Sequence, residues 1–426
     1  TQFSLWDSYR GQNQMLAEIS PAIYRDMVAS MVEYADVAGN LPRWQLATRN
    51  PGYMSGDPAV MFVSEGLCRG LLPAGEARAA FDAALATARL RNDEIALGYK
   101  PTPQPKGLPN DTEFQAPEFI EGGGRNAGTT LEFGLADFAL AAMADALGEN
   151  TLRDERLSLS LNYQNLLDSG DTGWIRPRDE AGNWIEPFFP EIGYGFQEGT
   201  SWQYSWLTMH DYAGLISGMG GSELVNQRLD TFFGFPVGAA PYAWPTIQNQ
   251  ITAFGLVYYG NQYAPGNEHD LEAPYVYNYS GQPWRTQAVA RAAASIFTGT
   301  AAGLPGNDDL GALSGWLVWT MLGAYPINPG LPLYTFSSPV FEYAKINRPQ
   351  GPIEITAPNA SATNRFIETV SVDGVSSDKS WMVIPRQSTR LSFGMSPVPN
   401  LMAPLSAPPS ISTAELAVFG CTTTAP

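Results

Sequence analysis

Three short segments place carboxylates in glycine-containing loops at the mouths of helices. The first, Gln197-Glu198-Gly199-Thr200-Ser201-Trp202-Gln203-Tyr204-Ser205-Trp206, sets a glutamate ahead of an aromatic-rich helix. The second, Gly266-Asn267-Glu268-His269-Asp270, leads into Pro274-Tyr275-Val276-Tyr277-Asn278-Tyr279. The third, Gly303-Leu304-Pro305-Gly306-Asn307-Asp308-Asp309-Leu310-Gly311, puts adjacent aspartates in a Pro/Gly turn before the apolar run Leu313 to Leu322. A helix N-terminus stabilises negative charge and a turn fixes its backbone, so Asp308 and Asp309 are expected to stay ionised, as a base or cation ligand must. Either could equally be a helix cap. Two separated carboxylates are the equipment of glycoside hydrolysis, one protonating the leaving oxygen and the other activating water or attacking. Glu198, flanked by aromatics, is the natural acid, because desolvation raises a carboxyl pKa. Asp309 or Asp308 is the natural base. Asn267, Glu268 and Asp270 offer hard oxygen ligands suited to Ca2+ rather than zinc, or else they form a hydrogen-bonded turn.

These loops can act together only if their helices converge. Helical periodicity dominates to about residue 323, with an N-terminal helix over 4–18 and a second one opened by Ser20-Pro21, a cap followed by proline. Further helices are predicted over 57–71, 75–90, 127–148, 150–168, 200–219, 221–234, 245–260, 281–299 and 309–323. Short Gly or Pro breaks make neighbours antiparallel, so the expected architecture is a mainly α toroid of paired helices, (α/α)6 in form. The long connections near 40–56, 98–126 and 170–199 would collect on one face and build the site. After Pro329 the period changes to two, and strands are predicted at 334–336, 340–346, 353–355, 366–372, 380–384 and 389–393. The expected domains are a catalytic barrel over 1–325, a small β lobe over 326–400 and an extended tail over 401–426. So few short strands need a further sheet to cover one face.

At 426 residues the chain is too long for one small core. A net charge of −18 argues against nucleic acid and anionic membranes as partners. No run approaches the roughly 20 apolar residues that span a membrane. Eleven Trp and nineteen Tyr suit an aromatic-lined sugar cleft, although most such rings belong in cores. Two cysteines exclude a Cys-rich zinc site and allow at most one bridge; Cys68, in an apolar helical segment, reads as a buried thiol. No leader precedes Thr1, where the chain opens on an already folded-looking segment, as a mature fragment or half of a processed precursor would.

The chain resembles the catalytic region of the family 92 glycoside hydrolases, calcium-dependent exo-α-mannosidases that act with inversion. The likeness runs in order from residue 3 to about 395. It includes Phe3-Ser4-Leu5-Trp6-Asp7-Ser8-Tyr9-Arg10, Thr130-Leu131-Glu132-Phe133, Trp174-Ile175-Arg176-Pro177-Arg178, the Glu198 segment, Met209-His210-Asp211 and Gly266-Asn267-Glu268. It continues through Tyr277-Asn278-Tyr279-Ser280-Gly281-Gln282-Pro283-Trp284, Leu304 to Asp309 and Gly323-Ala324-Tyr325-Pro326. The resemblance implies Glu198 as general acid and Asp309 as general base, with Asn307 or Asp308 as a second polar group. It implies Ca2+ near Asn267, Glu268 and Asp309, engaging the 2- and 3-hydroxyls of the terminal sugar of a glycan. Asp7 and Arg10 match the part that holds that sugar, or form a structural salt bridge; Trp202, Gln203 and His269 are further substrate-binding candidates. The family usually follows Gly-Asn-Glu with Pro-Ser-His-His, whereas this chain has His269-Asp270-Leu271-Glu272, which opens the sugar identity. The family's upstream β-sandwich is expected as a separate domain or chain, and the address as secreted, periplasmic or cell-surface. The alternatives are the same fold acting on another sugar or linkage, and a non-catalytic sugar-binding or assembly subunit, against which Glu198 and Asp309 together argue.

Overall fold

The computed structural model describes residues 2–47, 50, 52–102, 126–247, 260–402 and 404–423. Most of the connection expected at 98–126 and most of the helix expected at 245–260 lie outside the described residues. A two-residue strand β1 (Gln2–Phe3) pairs antiparallel with β2 (Gln45–Leu46) and delivers the chain into a short helix, α1 (Leu5–Ser8). The helix expected over 4–18 breaks at Gly11, φ 110°, before α2 (Gln12–Ile19). A Cβ there would lie 3.3 Å from the Trp319 ring, so the break lets two helices approach closely.

The helices continue with α3 (Pro21–Ala38), α4 (Pro58–Cys68), α5 (Ala74–Leu90), α6 (Asn126–Ala146) and α7 (Asn150–Ser160). Next come α8 (Ser201–Tyr204), α9 (Tyr212–Gly218), α10 (Ser222–Phe232), α11 (Pro283–Ala294) and α12 (Ala312–Leu322). The helix expected over 200–219 is therefore two helices separated by a 3-10 turn, Met209–Asp211, with the Asp211 carboxylate capping α9 through Gly214 N. Buried apolar side chains line α4 and α6 almost without interruption, and these two helices pack on each other at the centre. The last helix returns to the start of the chain: α12 packs on α2, and Trp319 Nε1 donates to Gly11 O at 2.9 Å.

The strand-rich part begins at β3 (Ala324–Pro326), across the expected boundary. β3, β4 (Leu333–Phe336) and β9 (Trp381–Val383) form one antiparallel sheet in the order β3-β4-β9. The other sheet has the order β5-β6-β10-β7-β8. Its strands are β5 (Tyr343–Ile346), β6 (Ile353–Thr356), β7 (Phe366–Val372), β8 (Val375–Ser377) and β10 (Thr389–Ser396), with β6 and β10 parallel. Phe336 of β4 meets Phe393 of β10 edge-on, ring centres 5.3 Å apart, so the chain supplies part of the covering sheet itself. Buried ion pairs join lobe to helices: Arg348 Nη1 reaches Glu18 Oε2 at 2.9 Å, and Arg69 pairs with both Glu18 and Glu65.

Residues 404–423 strap the lobe to the helices. Ser406 bridges Lys379, Ile411 N donates to His210 O at 2.9 Å, and Phe419 packs fully buried against Phe138. The strap ends in a disulfide between Cys421 and Cys68, which corrects the reading of Cys68 as a thiol. Burial was judged rightly, but the partner arrives from 353 residues away and no local pattern announces it. Among the described residues, no helix is long and apolar enough to cross a membrane.

Candidate active site

Two glycines explain how the second and third acidic loops meet. A Cβ on Gly266 would lie 2.3 Å from Pro305 O, and one on Gly306 would lie 2.2 Å from Gly266 O. Only hydrogen in place of a side chain allows that backbone contact. Closing the loops brings Glu268, at the head of the 3-10 turn Glu268–Asp270, beside Asp309, at the head of the turn Asp309–Gly311. Helix α1 packs on the Asp309 turn and contributes Asp7. Asp7, Glu268 and Asp309 each offer a carboxylate oxygen, and the three atoms lie within 4.8 Å of one another.

Three carboxylates so close repel one another. Burial, then the charge of Asp309, pushes the Asp7 carboxyl up to about 8; Glu198 adds to the effect and Arg10 opposes it. Glu268 is pushed well above its ordinary range by burial, then by Asp7 and Asp309. Asp7 Oδ2 and Glu268 Oε1 are buried without a hydrogen-bond partner. An all-oxygen donor set with orphaned, mutually repelling carboxylates fits a hard divalent cation such as Ca2+.

Adjacent Asp308 and Asp309 are separated by backbone geometry. Asp308 Oδ1 accepts from Ser314 N at 2.9 Å and Ser314 Oγ at 2.7 Å, bracing the first turn of α12. Asp309, with φ 44°, and Leu310, with φ 55° and ψ 32°, turn the chain left-handed, so the second carboxylate faces Glu268 instead. This also delays α12 to Ala312, where the sequence pattern predicts a start at 309.

Glu198 is half-buried and has a left-handed backbone too, φ 52°. Its loop is fastened on both sides. Tyr204 OH donates to Gln197 O at 2.7 Å, and Asn267 Nδ2 donates to Glu198 O at 2.8 Å. Asn267 Oδ1 meanwhile accepts from Glu268 N at 3.2 Å, so this side chain links the acid loop to the acidic cluster. His269 lies beneath: its ring stacks on Tyr204 with centres 4.7 Å apart, and a Cβ on Gly199 would be 2.7 Å from its Nε2. Burial, then Arg10, pushes the imidazole well below its ordinary value, so it is neutral.

Arg10 is wholly buried, its guanidinium over the rings of Trp6 and Tyr9 at 4.2 Å each. It pairs with Glu132 at 3.2 Å and stands 3.9 Å from Glu272. Glu132 also accepts from Trp6 Nε1 at 2.8 Å and Tyr9 OH at 2.9 Å. The sequence reading left Asp7 and Arg10 as either sugar-holding groups or a salt-bridged pair; the ion pair of Arg10 is with Glu132, and Asp7 joins the carboxylate cluster. Glu132 was missed as an anchor, although a carboxylate within the apolar stretch of α6, which also holds the buried Asp137, is a usable signal.

Trp202 is half-buried, 4.5 Å from the Trp174 ring. Gln203 is fully buried; its Oε1 accepts from Thr200 N at 3.0 Å and its Nε2 reaches Gln262 O at 3.4 Å. It closes a capping box on α8.

A model of the glycosyl hydrolase family 92 catalytic domain matches residues 1–397. Among solved structures, the fold is similar to a family GH92 α-mannosidase of Bacteroides thetaiotaomicron, with 28% identity, TM-score 0.82, and coverage of 96% of this chain and 52% of that one. The same mannosidase in complex with mannoimidazole gives 28% identity and TM-score 0.83, over 96% of this chain and 53% of that one. A family GH92 inverting mannosidase from the same organism gives 26% identity and TM-score 0.79, over 96% of this chain and 55% of that one. A protein of Arthroderma benhamiae called an uncharacterized secreted glycosidase is 25% identical over 286 residues, 61% of this chain and 34% of that protein. The chain thus spans about half the length of the mannosidase structures it matches and a third of the fungal relative.

Proposed function

This chain belongs to the glycosyl hydrolase family 92 catalytic domain family, and from that membership we propose that it acts as a Ca2+-dependent, inverting exo-α-mannosidase on terminal mannose of glycans or mannan. The observation that carries this reading is the cluster of Asp7, Glu268 and Asp309, with oxygens within 4.8 Å of one another, in a site whose Asp7 also feels the charge of Glu198. Asp7, Glu268 and Asp309 would hold the cation, with Asn267 beside them. When bound, Ca2+ supplies electrostatic anchoring of sugar hydroxyls.

In this mechanism Glu198 protonates the departing glycosidic oxygen. Asp309 takes a proton from the water that attacks the anomeric carbon from the opposite side, inverting its configuration. The anchors on Gln197 O and Glu198 O hold the acid in one position, so little ordering is left to the moment of reaction. Arg10, fixed by Glu132, keeps positive charge near Asp7 and limits their mutual repulsion.

The proposal extends to the setting. The helices complete an (α/α)6 toroid, and an upstream β-sandwich domain or chain covers the leaving-group side of the cleft. The protein works in a secreted, periplasmic or cell-surface location, where the Cys68–Cys421 bond is stable.

The test is mannose release from α-linked mannobiose by the chain together with its upstream domain, with EDTA and Ca2+ add-back, following the anomer first formed by NMR. β-Mannose appearing first, lost with EDTA and in Glu198→Gln and Asp309→Asn, is the expected result. No mannose from folded, calcium-loaded protein would sink the mannosidase reading.

A further inference from the structure

The segment between β6 and β7 carries Asn359-Ala360-Ser361, an acceptor pattern for N-linked glycosylation. Asn359 is exposed and sits in a left-handed turn, φ 66°, a conformation asparagine tolerates better than most residues. Its backbone N donates to Glu342 Oε1 at 3.0 Å, and Ser361 Oγ accepts from Asn364 N at 3.0 Å, so the turn is braced while the Asn359 side chain faces solvent.

The same pattern recurs at Asn278-Tyr279-Ser280, and there the structure forbids it. Asn278 is 1% exposed, and its Nδ2 donates to Thr335 Oγ1 at 2.7 Å and Phe336 O at 2.8 Å. A glycan on that nitrogen would have to displace β4 from the core. A third instance, Asn110-Asp111-Thr112, lies outside the described residues.

We propose that Asn359 is an N-glycosylation site whose glycan shields the open edge of the larger sheet. That edge is β5, which pairs only with β6 among the described residues. It exposes Tyr343 at 56%, with neighbouring Phe341 at 46%, and Glu342 between them is the residue that braces Asn359. An unpaired edge flanked by exposed aromatics is a template for strand addition by other chains. In the modification, Asn359 Nδ2 bonds to the anomeric carbon of an oligosaccharide carried on a lipid pyrophosphate. The bond from that carbon to the pyrophosphate oxygen breaks, the lipid pyrophosphate leaves, and the amide nitrogen gives up one proton.

This site rests on the secretory reading above, in a host that has the transferase. The test is to secrete the chain from yeast behind the host's own leader, then release glycans enzymatically in oxygen-18 water and map the peptides. Lumenal entry is imposed by the leader, so the result reports on the site and not on the natural address or on mannosidase activity. An oxygen-18 aspartate at position 359, with Asn278 unlabelled in the same secreted protein, is expected. Asn359→Asp, which suits the left-handed turn, and Ser361→Ala should each abolish the label. Secreted chain with its disulfide formed and Asn359 bare would overturn the site. Light scattering on incubation should be higher for Asn359→Asp than for the glycosylated chain; equal scattering would remove the shielding role.

Discussion

Asn267 donates its side-chain amide to the main-chain oxygen of Glu198 at 2.8 Å while accepting from Glu268 N at 3.2 Å. One side chain thereby fixes the spacing between the proposed acid and the acidic cluster. Asn267→Asp keeps the acceptor but loses the donor and places a further negative charge beside Glu268. It should lower kcat more than it raises KM in steady-state kinetics on α-linked mannobiose, and the buried charge should also lower the melting temperature of the cation-free protein.

The adjacent aspartates should separate cleanly. Asp309→Asn removes the proposed base and should cost about a hundred- to ten-thousand-fold in kcat. Asp308→Ala removes the acceptor for Ser314 N and Oγ, and should cost about 0.5–2 kcal/mol of stability by denaturant titration. If Asp308→Ala abolishes turnover in folded protein, the assignment of roles is wrong.

Gly306→Ala tests the loop contact. Its Cβ would sit 2.2 Å from Gly266 O, and overpacking of this kind costs about 1–3 kcal/mol. Because the contact sets the approach of Glu268 to Asp309, calorimetric Ca2+ affinity should fall as well. Unaltered affinity would show that another contact holds the loops together.

Ca2+ should stabilise the fold. At about a hundred times its Kd, a cation bound only by the folded state adds about 2.7 kcal/mol. The gain should vanish with EDTA and shrink in Glu268→Gln, both readable as shifts in melting temperature.

His210 makes acid destabilising. Burial holds its imidazole below the ordinary histidine range, with Nε2 2.8 Å from Ser160 O. Below about pH 6.5 the unfolded chain takes up a proton that the folded chain refuses, so stability falls until the folded pKa is passed. Above that window the contribution is complete. Urea titrations from neutral to mildly acidic pH should show the decline, and His210→Gln should lessen it, leaving the contribution of like sign from His269.

How much of this could be read from the sequence follows the range of the signal. Periodicity over three or more turns located α3 to α6, and alternation located β5, β6, β7 and β10. Glycines marked the three acidic loops in the sequence, but the close approach of Gly306 to Gly266 is a tertiary contact that no local pattern announced. Breaks set by distant partners were illegible: Gly11 interrupts the first helix because Trp319 packs there. Residue chemistry alone did not distinguish Asp308 from Asp309, and only the family resemblance favoured Asp309 as the base; the structural distinction is a left-handed backbone at Asp309 and Leu310. The capping box between Thr200 and Gln203 is a spacing legible in the sequence that the reading did not use.

The bond between Cys68 and Cys421 makes the polypeptide a closed covalent circle with an N-terminal arm. Glu198, Glu268 and Asp309 ride on the circle, while Asp7 and Arg10 enter on the arm. A protease cutting once inside the circle only opens it, and both pieces stay attached. A cut in the arm between Asp7 and Cys68 would instead leave Asp7 with no covalent link to its carboxylate neighbours.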